Sequence, residues 1–152
     1  MINIYLLKEE VVLMNVLLSI KPKYVEEIRK GNKKYEFRKS LFSKKNIDKI
    51  EKIYIYSSAP VKKIVARFIL AVILEDHPKK LWEKYKNFSG IDEVEYFKYY
   101  GKNERVFAIR ITELKFFKKP IDPKSLFPDF VAPQSFCYIG DIEDYEKITN
   151  FL

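Results

Sequence analysis

The chain has 152 residues, with 29 Lys and Arg against 21 Asp and Glu, a formal net charge of +8. That length suits one domain with a sizeable core, and 47% apolar with 16% aromatic content excludes a disordered chain. A single cysteine, Cys137, and a single histidine, His77, exclude an internal disulfide, a cysteine-based zinc cluster and a His-rich metal site, so no metal and no cofactor is expected.

Residues 1–13 read as an N-terminal extension, either an edge strand or an over-called start ahead of Met14. Residues 14–152 read as one domain. The longest apolar stretch, Val11 to Ile20, is interrupted by Asn15 and Ser19 and is roughly half of a ~20-residue membrane span. Lys8, Glu9 and Glu10 precede it and no small-residue cleavage site follows, so neither a span nor a signal peptide is read and a cytoplasmic protein is expected.

Val16 to Ile20 reads as a buried strand. Pro22 then suits a first helical turn, and Gly31 a helix end. Lys34 to Lys39 alternates: Tyr35 and Phe37 face one way, Lys34, Glu36 and Arg38 the other. Ile53 to Tyr56 is a further strand, closed by the turn Ser57-Ser58-Ala59-Pro60. The β-branched run Val61 to Leu74 reads as one long, bent strand. A helical insert over about 78–100 opens at Pro78 and pauses at Gly90; it restarts at Asp92, with Glu95 completing a capping box, and stops at Gly101. Its aromatic residues read as packing material, or alternatively as a platform for stacking bases. Arg105 to Leu114 reads as a strand, 120–133 as a structured loop, Phe136 to Ile139 as a last strand and Ile142 to Leu152 as a terminal helix. His77 is a helix-boundary residue and Cys137 a packing residue. Mostly sequential strands of this kind predict an α+β fold: a small, mostly antiparallel β-barrel with peripheral helices.

The charge is unevenly spread. Residues 21–63 carry 14 basic and 5 acidic side chains, whereas the rest of the chain carries 15 and 16. A basic segment on an otherwise balanced domain is the electrostatic footprint of a polyanion binder. Lys-rich composition by itself accounts for part of the total, but not for its confinement to one segment.

Three segments combine polar groups that a plain barrel does not need: Ser19-Ile20-Lys21-Pro22, Gly31 to Lys39, and Pro133-Gln134-Ser135-Phe136. In this order, with Ile53-Tyr-Ile-Tyr-Ser-Ser-Ala-Pro-Val-Lys-Lys63 between them and Leu81-Trp-Glu-Lys-Tyr85, Ser89-Gly-Ile91 and Tyr96-Phe-Lys-Tyr-Tyr-Gly101 in the insert, they resemble the ASCH domain of the PUA-like superfold. The resemblance runs from about Val16 to Gly140. It implies a PUA-like barrel and RNA binding, with RNA or another nucleic acid or nucleotide as partner, no membrane, and no prediction of oligomeric state.

On a strand, Glu36 and Arg38 share a face at about 7 Å spacing. Arg38 then reaches a phosphate or base edge, and Glu36 accepts from an exocyclic amine. The expected binding residues are Ser19, Lys21, Lys33, Lys34, Glu36, Arg38, Lys39, Ser57, Ser58, Lys62, Lys63, Gln134 and Ser135. A solvated, salt-bridged strand face is the plain alternative. One branch of the ASCH family removes acetyl groups from N4-acetylcytidine with a Lys in the post-glycine turn and a Thr three residues later. Here Lys33 matches the Lys, but Glu36 stands where the Thr would be. A carboxylate does not replace an alcohol as acyl acceptor, so a non-catalytic binding module is favoured. A hydrolase acting on RNA or a modified nucleoside through Lys33 and Glu36 is the first alternative. A protein-interaction adaptor using the aromatic insert around Tyr96 to Tyr100 is the second.

Overall fold

The computed structural model describes residues 13–143. The expected N-terminal extension lies almost wholly outside them, as does most of the expected terminal helix. In chain order the elements are β1 (Met14–Ile20), α1 (Pro22–Lys30), β2 (Tyr35–Arg38), α2 (Lys44–Ile47), β3 (Ile50–Ser57), β4 (Lys63–Ile69), β5 (Ile73–Asp76), α3 (Pro78–Tyr85), a 3-10 turn (Lys86–Phe88), α4 (Glu93–Tyr100), β6 (Val106–Arg110), β7 (Thr112–Ile121), α5 (Pro123–Leu126) and β8 (Phe136–Ile139).

The strands form two sheets, a five-stranded one in the order β7-β4-β3-β1-β8 and a three-stranded one in the order β2-β6-β5. β1 and β3 run parallel, while the other strand pairs are antiparallel. The fold is therefore α+β and mostly antiparallel, as expected. The expected barrel does not close among the described residues. The sheets meet at a corner, where Arg110 N–H bonds Val72 O at 3.0 Å and Ile111 N–H bonds Lys34 O at 2.9 Å.

That corner explains two further differences. The run Val61 to Leu74 is two strands, since Leu70, Ala71 and Val72 carry the chain from β4 in one sheet to β5 in the other. Arg105 to Leu114 divides in the same way at Ile111. An apolar, β-branched sequence is equally suited to one bent strand or to two that change sheets, so periodicity alone does not separate them.

β1 is buried on both faces, which is why it reads as a continuous apolar run. Val16, Leu18 and Ile20 join Ile53, Ile55, Phe68, Ile109 and the buried face of α1 in a core between the sheets. Leu17 packs on the opposite side with Tyr54, Tyr56, Ile64 and Ile121. On β2, Tyr35 and Phe37 pack against Leu81, Trp82, Tyr96 and Tyr100 of the insert. Glu36 and Arg38 thereby face the five-stranded sheet.

Local signals behave as their chemistry dictates. Gly31 closes α1 at φ 83°, and the side chains of His77 and Asp92 cap α3 and α4 by accepting from the N–H of Lys79 and Glu95. Glu95 does not return the bond of a full capping box; its carboxylate meets Lys23. The short helices α2 and α5 were not expected.

Candidate functional site

Where the two sheets and the insert converge, the molecule has a cleft of about 590 Å³, within the size range of small-molecule sites. Its floor is Glu36 and Arg38. One wall is the end of β1, with Ser19, Lys21 and then Tyr24 of α1; the opposite wall is the insert, with Glu95, Tyr99 and Tyr100. Pro133, Gln134 and Ser135 close the third side, and Lys39, Ser40 and Ser58 stand at the rim.

Arg38 holds the cleft together. Its guanidinium donates to Ser19 O at 2.8 Å and to Ser135 Oγ at 3.2 Å. Ser19 N–H bonds Ser135 O at 2.9 Å, and Ser19 Oγ donates to Pro133 O at 2.7 Å. One fork of donors thus ties β2 to β1 and to the segment before β8, a use of arginine that lysine does not reproduce.

Glu36 is 7% exposed, and its Oε1 lies 3.7 Å from Arg38 Nε, beyond hydrogen-bond distance. Glu36 Oε2 and Arg38 Nε are both buried without a hydrogen-bond partner among the described residues. Buried polar groups are ordinarily paired, and leaving one unpaired costs about 1–3 kcal/mol. An acceptor and a donor, belonging to an ion pair but each without a hydrogen bond, therefore lie buried just beneath the floor of the cleft.

The surrounding hydroxyls are held protonated. Burial pushes the Tyr100 phenol up, and the nearby Glu36 charge adds to this; its hydroxyl donates to Phe37 O at 2.7 Å. The Tyr24 phenol is raised by burial and by its hydrogen bond to Glu95. At the rim, Lys39 Nζ lies 4.1 Å from the centre of the exposed Tyr99 ring, an arrangement that keeps a cation and a π-face together.

Of the expected binding residues, Ser19, Lys21, Glu36, Arg38, Lys39, Ser58, Gln134 and Ser135 line this one cleft. The others lie elsewhere. Lys33 is 4% exposed, its ammonium donating to Ser89 O at 2.8 Å between the rings of Tyr24 and Phe37. Burial holds that ammonium below the usual lysine range; Glu36 opposes the shift and Arg38 adds to it. Lys34 precedes β2 and does not line the cleft; its ammonium lies 4.7 Å from the Phe88 ring. Ser57 is buried in β3. Lys62 is exposed in the β3–β4 turn, and Lys63 pairs with Asp122 on another face.

The basic segment is correspondingly scattered, with Lys52 for example engaged by Asp141 and Glu143. The aromatic insert is mainly core: Tyr96 and Tyr100 are buried and Tyr99 is exposed, so the adaptor surface expected around Tyr96 to Tyr100 is not presented as a whole. The sequence reading missed Tyr24, Ser40, Glu95 and the cleft role of Tyr99 and Tyr100. Tyr24 was legible only as part of a helical stripe, and no local signal links α4 to β2.

Residues 13–130 match the family described as a domain of unknown function, DUF365. The chain is 25% identical over 141 residues to an ASCH domain-containing ribonuclease of Zymomonas mobilis, spanning 88% of this chain and 89% of that relative. The crystal structure of ASCH from Zymomonas mobilis matches with a TM-score of 0.73 at 24% identity, over 89% of this chain and 94% of that one. The N-terminal domain of Staphylothermus marinus McrB matches with a TM-score of 0.57 at 16% identity, over 90% and 93%. The chain thus shares its fold with an ASCH protein of known structure and belongs to the DUF365 family.

Proposed function

We propose that this protein binds RNA, taking one base into the cleft above Glu36 and Arg38. The observation that carries the reading is the pair of orphaned groups on the floor, Glu36 Oε2 and Arg38 Nε. A nucleobase edge presents a donor next to an acceptor, as the exocyclic amine and ring nitrogen of cytosine or adenine do, and so matches the pair once a side-chain shift at the floor uncovers it. Lys21 in the wall and Lys39, whose ammonium lies over the exposed Tyr99 ring, supply cations for the flanking phosphates. The similarity to an ASCH domain-containing ribonuclease supports RNA as the partner.

The test is titration of short labelled RNAs against the protein and Glu36→Gln at several salt concentrations. The substitution keeps size but removes the charge that pairs with Arg38 and one of the two acceptor oxygens, so affinity falls by about tenfold to a hundredfold. Removing Lys21 and Lys39 together makes the salt dependence shallower. Unchanged affinity in Glu36→Gln sinks the reading.

The same relative supports a second reading, cleavage of the bound RNA. Glu36 would take the proton of a ribose 2′-hydroxyl as that oxygen attacks the adjacent phosphorus to give a 2′,3′-cyclic phosphate, and the 5′-oxygen would leave with a proton from water. Lys33, held on Ser89 O, would act through Glu36 and not on the RNA. Fragments from RNA, but none from DNA of the same sequence, support cleavage; intact RNA leaves the binding reading alone.

A further inference from the structure

The edge strand β7 carries a second concavity, of about 820 Å³, lined by Lys63, Lys115, Lys118 and Lys119 with Phe116 and Phe117. Its shape comes from the register of β7 on β4. Ala66 pairs with Phe116, and the next pairing joins Ile64 to Ile121. β4 spends two residues where β7 spends five, so the segment 117–120 bows away from the sheet. A bulge at a sheet edge re-aims side chains, and this one carries Lys118 and Lys119. Pro120, lacking an N–H, sits where the ladder is interrupted.

Among the described residues, Asp122 is the only carboxylate lining the concavity, and it lies 3.7 Å from Lys63. Lys115, Lys118 and Lys119 are exposed and have no ion-pair partner among the described residues. A single lysine is enough to discourage strand addition at an edge. Gathering several costs mutual repulsion, which a bound polyanion relieves.

This groove adjoins the cleft. Ser57 pairs directly with Lys63, and Ser58, the next residue, lines the cleft. Opposed strand residues lie about 5 Å apart and successive Cα atoms about 3.8 Å. The two sites therefore approach within about 9 Å across one hairpin, with exposed Lys62 between them.

We propose that the β7 groove holds the sugar-phosphate backbone of the single-stranded nucleic acid whose base enters the cleft, contacting about three consecutive phosphates. This rests on the reading of the cleft as a base site. The groove supplies length-dependent affinity and no base preference.

The test compares a labelled RNA of about 12 nucleotides with a trinucleotide, using the full chain and a variant with Lys115→Gln, Lys118→Gln and Lys119→Gln. The variant binds the longer RNA roughly tenfold more weakly, and its slope of log affinity against log salt is shallower by about 2. Its affinity for the trinucleotide is unchanged. A single Lys118→Glu reversal gives the same pattern should the triple variant lose its native melting temperature. Unchanged affinity and slope for the longer RNA in a folded variant overturn the proposal. Loss of binding on Glu36→Gln for both lengths reports on the cleft, so a failure of the cleft reading and of the groove are told apart. A native protein that binds neither RNA overturns both.

Discussion

Arg38 shows how one side chain serves structure and site together. Its fork spans Ser19 O and Ser135 Oγ while Nε stays unspent beside Glu36. A lysine ammonium reaches one of those partners and leaves the other orphaned. Arg38→Lys is expected to lower stability by about 1–2 kcal/mol, read as a shift in the urea midpoint, and an unchanged midpoint rejects the role of the fork. Glu36 was legible in the sequence as a charge alternating with aromatics on a strand. Its lack of a partner was not, because that depends on Arg38 being drawn toward residues 19 and 135, distant in the chain. Lys33 was legible as a cation after a glycine, but its burial was not. Ser89, whose carbonyl oxygen accepts its hydrogen bond, comes from the insert 56 positions away.

At the scale of elements, the insert is what completes the cleft. The segment Ser89-Gly90-Ile91 lies over Lys33, with a bridge between Lys33 and Ser89 and Lys34 N–H on Phe88 O at 2.8 Å. Gly90 has φ +61°, and a Cβ there would sit 2.3 Å from Lys33 Cβ. Gly90→Ala combines a left-handed backbone penalty with a steric clash. A loss of about 3 kcal/mol is expected, with weaker RNA binding because Glu95, Tyr99 and Tyr100 move with the insert. A variant that melts with the native protein rules out this clamp. The sequence marked Gly90 only as the pause between two helices. Which element it packs on is a tertiary fact.

At the scale of the molecule, several buried groups set the response to pH. The phenols of Tyr24, Tyr54 and Tyr100 are raised, and that of Tyr96 is pushed up to about 12, in each case chiefly by burial. The unfolded chain releases these protons near pH 10, while the folded one keeps them. Their stabilisation is thus whole below about pH 10 and is lost as the pH rises from there through about 12 and above. Lys33 works in the opposite direction: the unfolded chain holds its proton more tightly, so below the ordinary lysine value stability gains as the pH rises. Thermal melts across the alkaline range should therefore hold to about pH 10 and then fall, and Tyr100→Phe should make the fall shallower. A melting temperature independent of pH above 10 contradicts this. The sequence by itself determined the helix caps, the buried strand β1, the two faces of β2 and the family resemblance, because each is written in residues a few positions apart. The tertiary structure alone decided that the barrel stays open, that the basic segment disperses, and that residues 19, 36, 38, 99 and 135 meet. Those outcomes depend on which sheet a strand joins, and an apolar run such as Val61 to Leu74 encodes the burial of its side chains without encoding the partner that buries them.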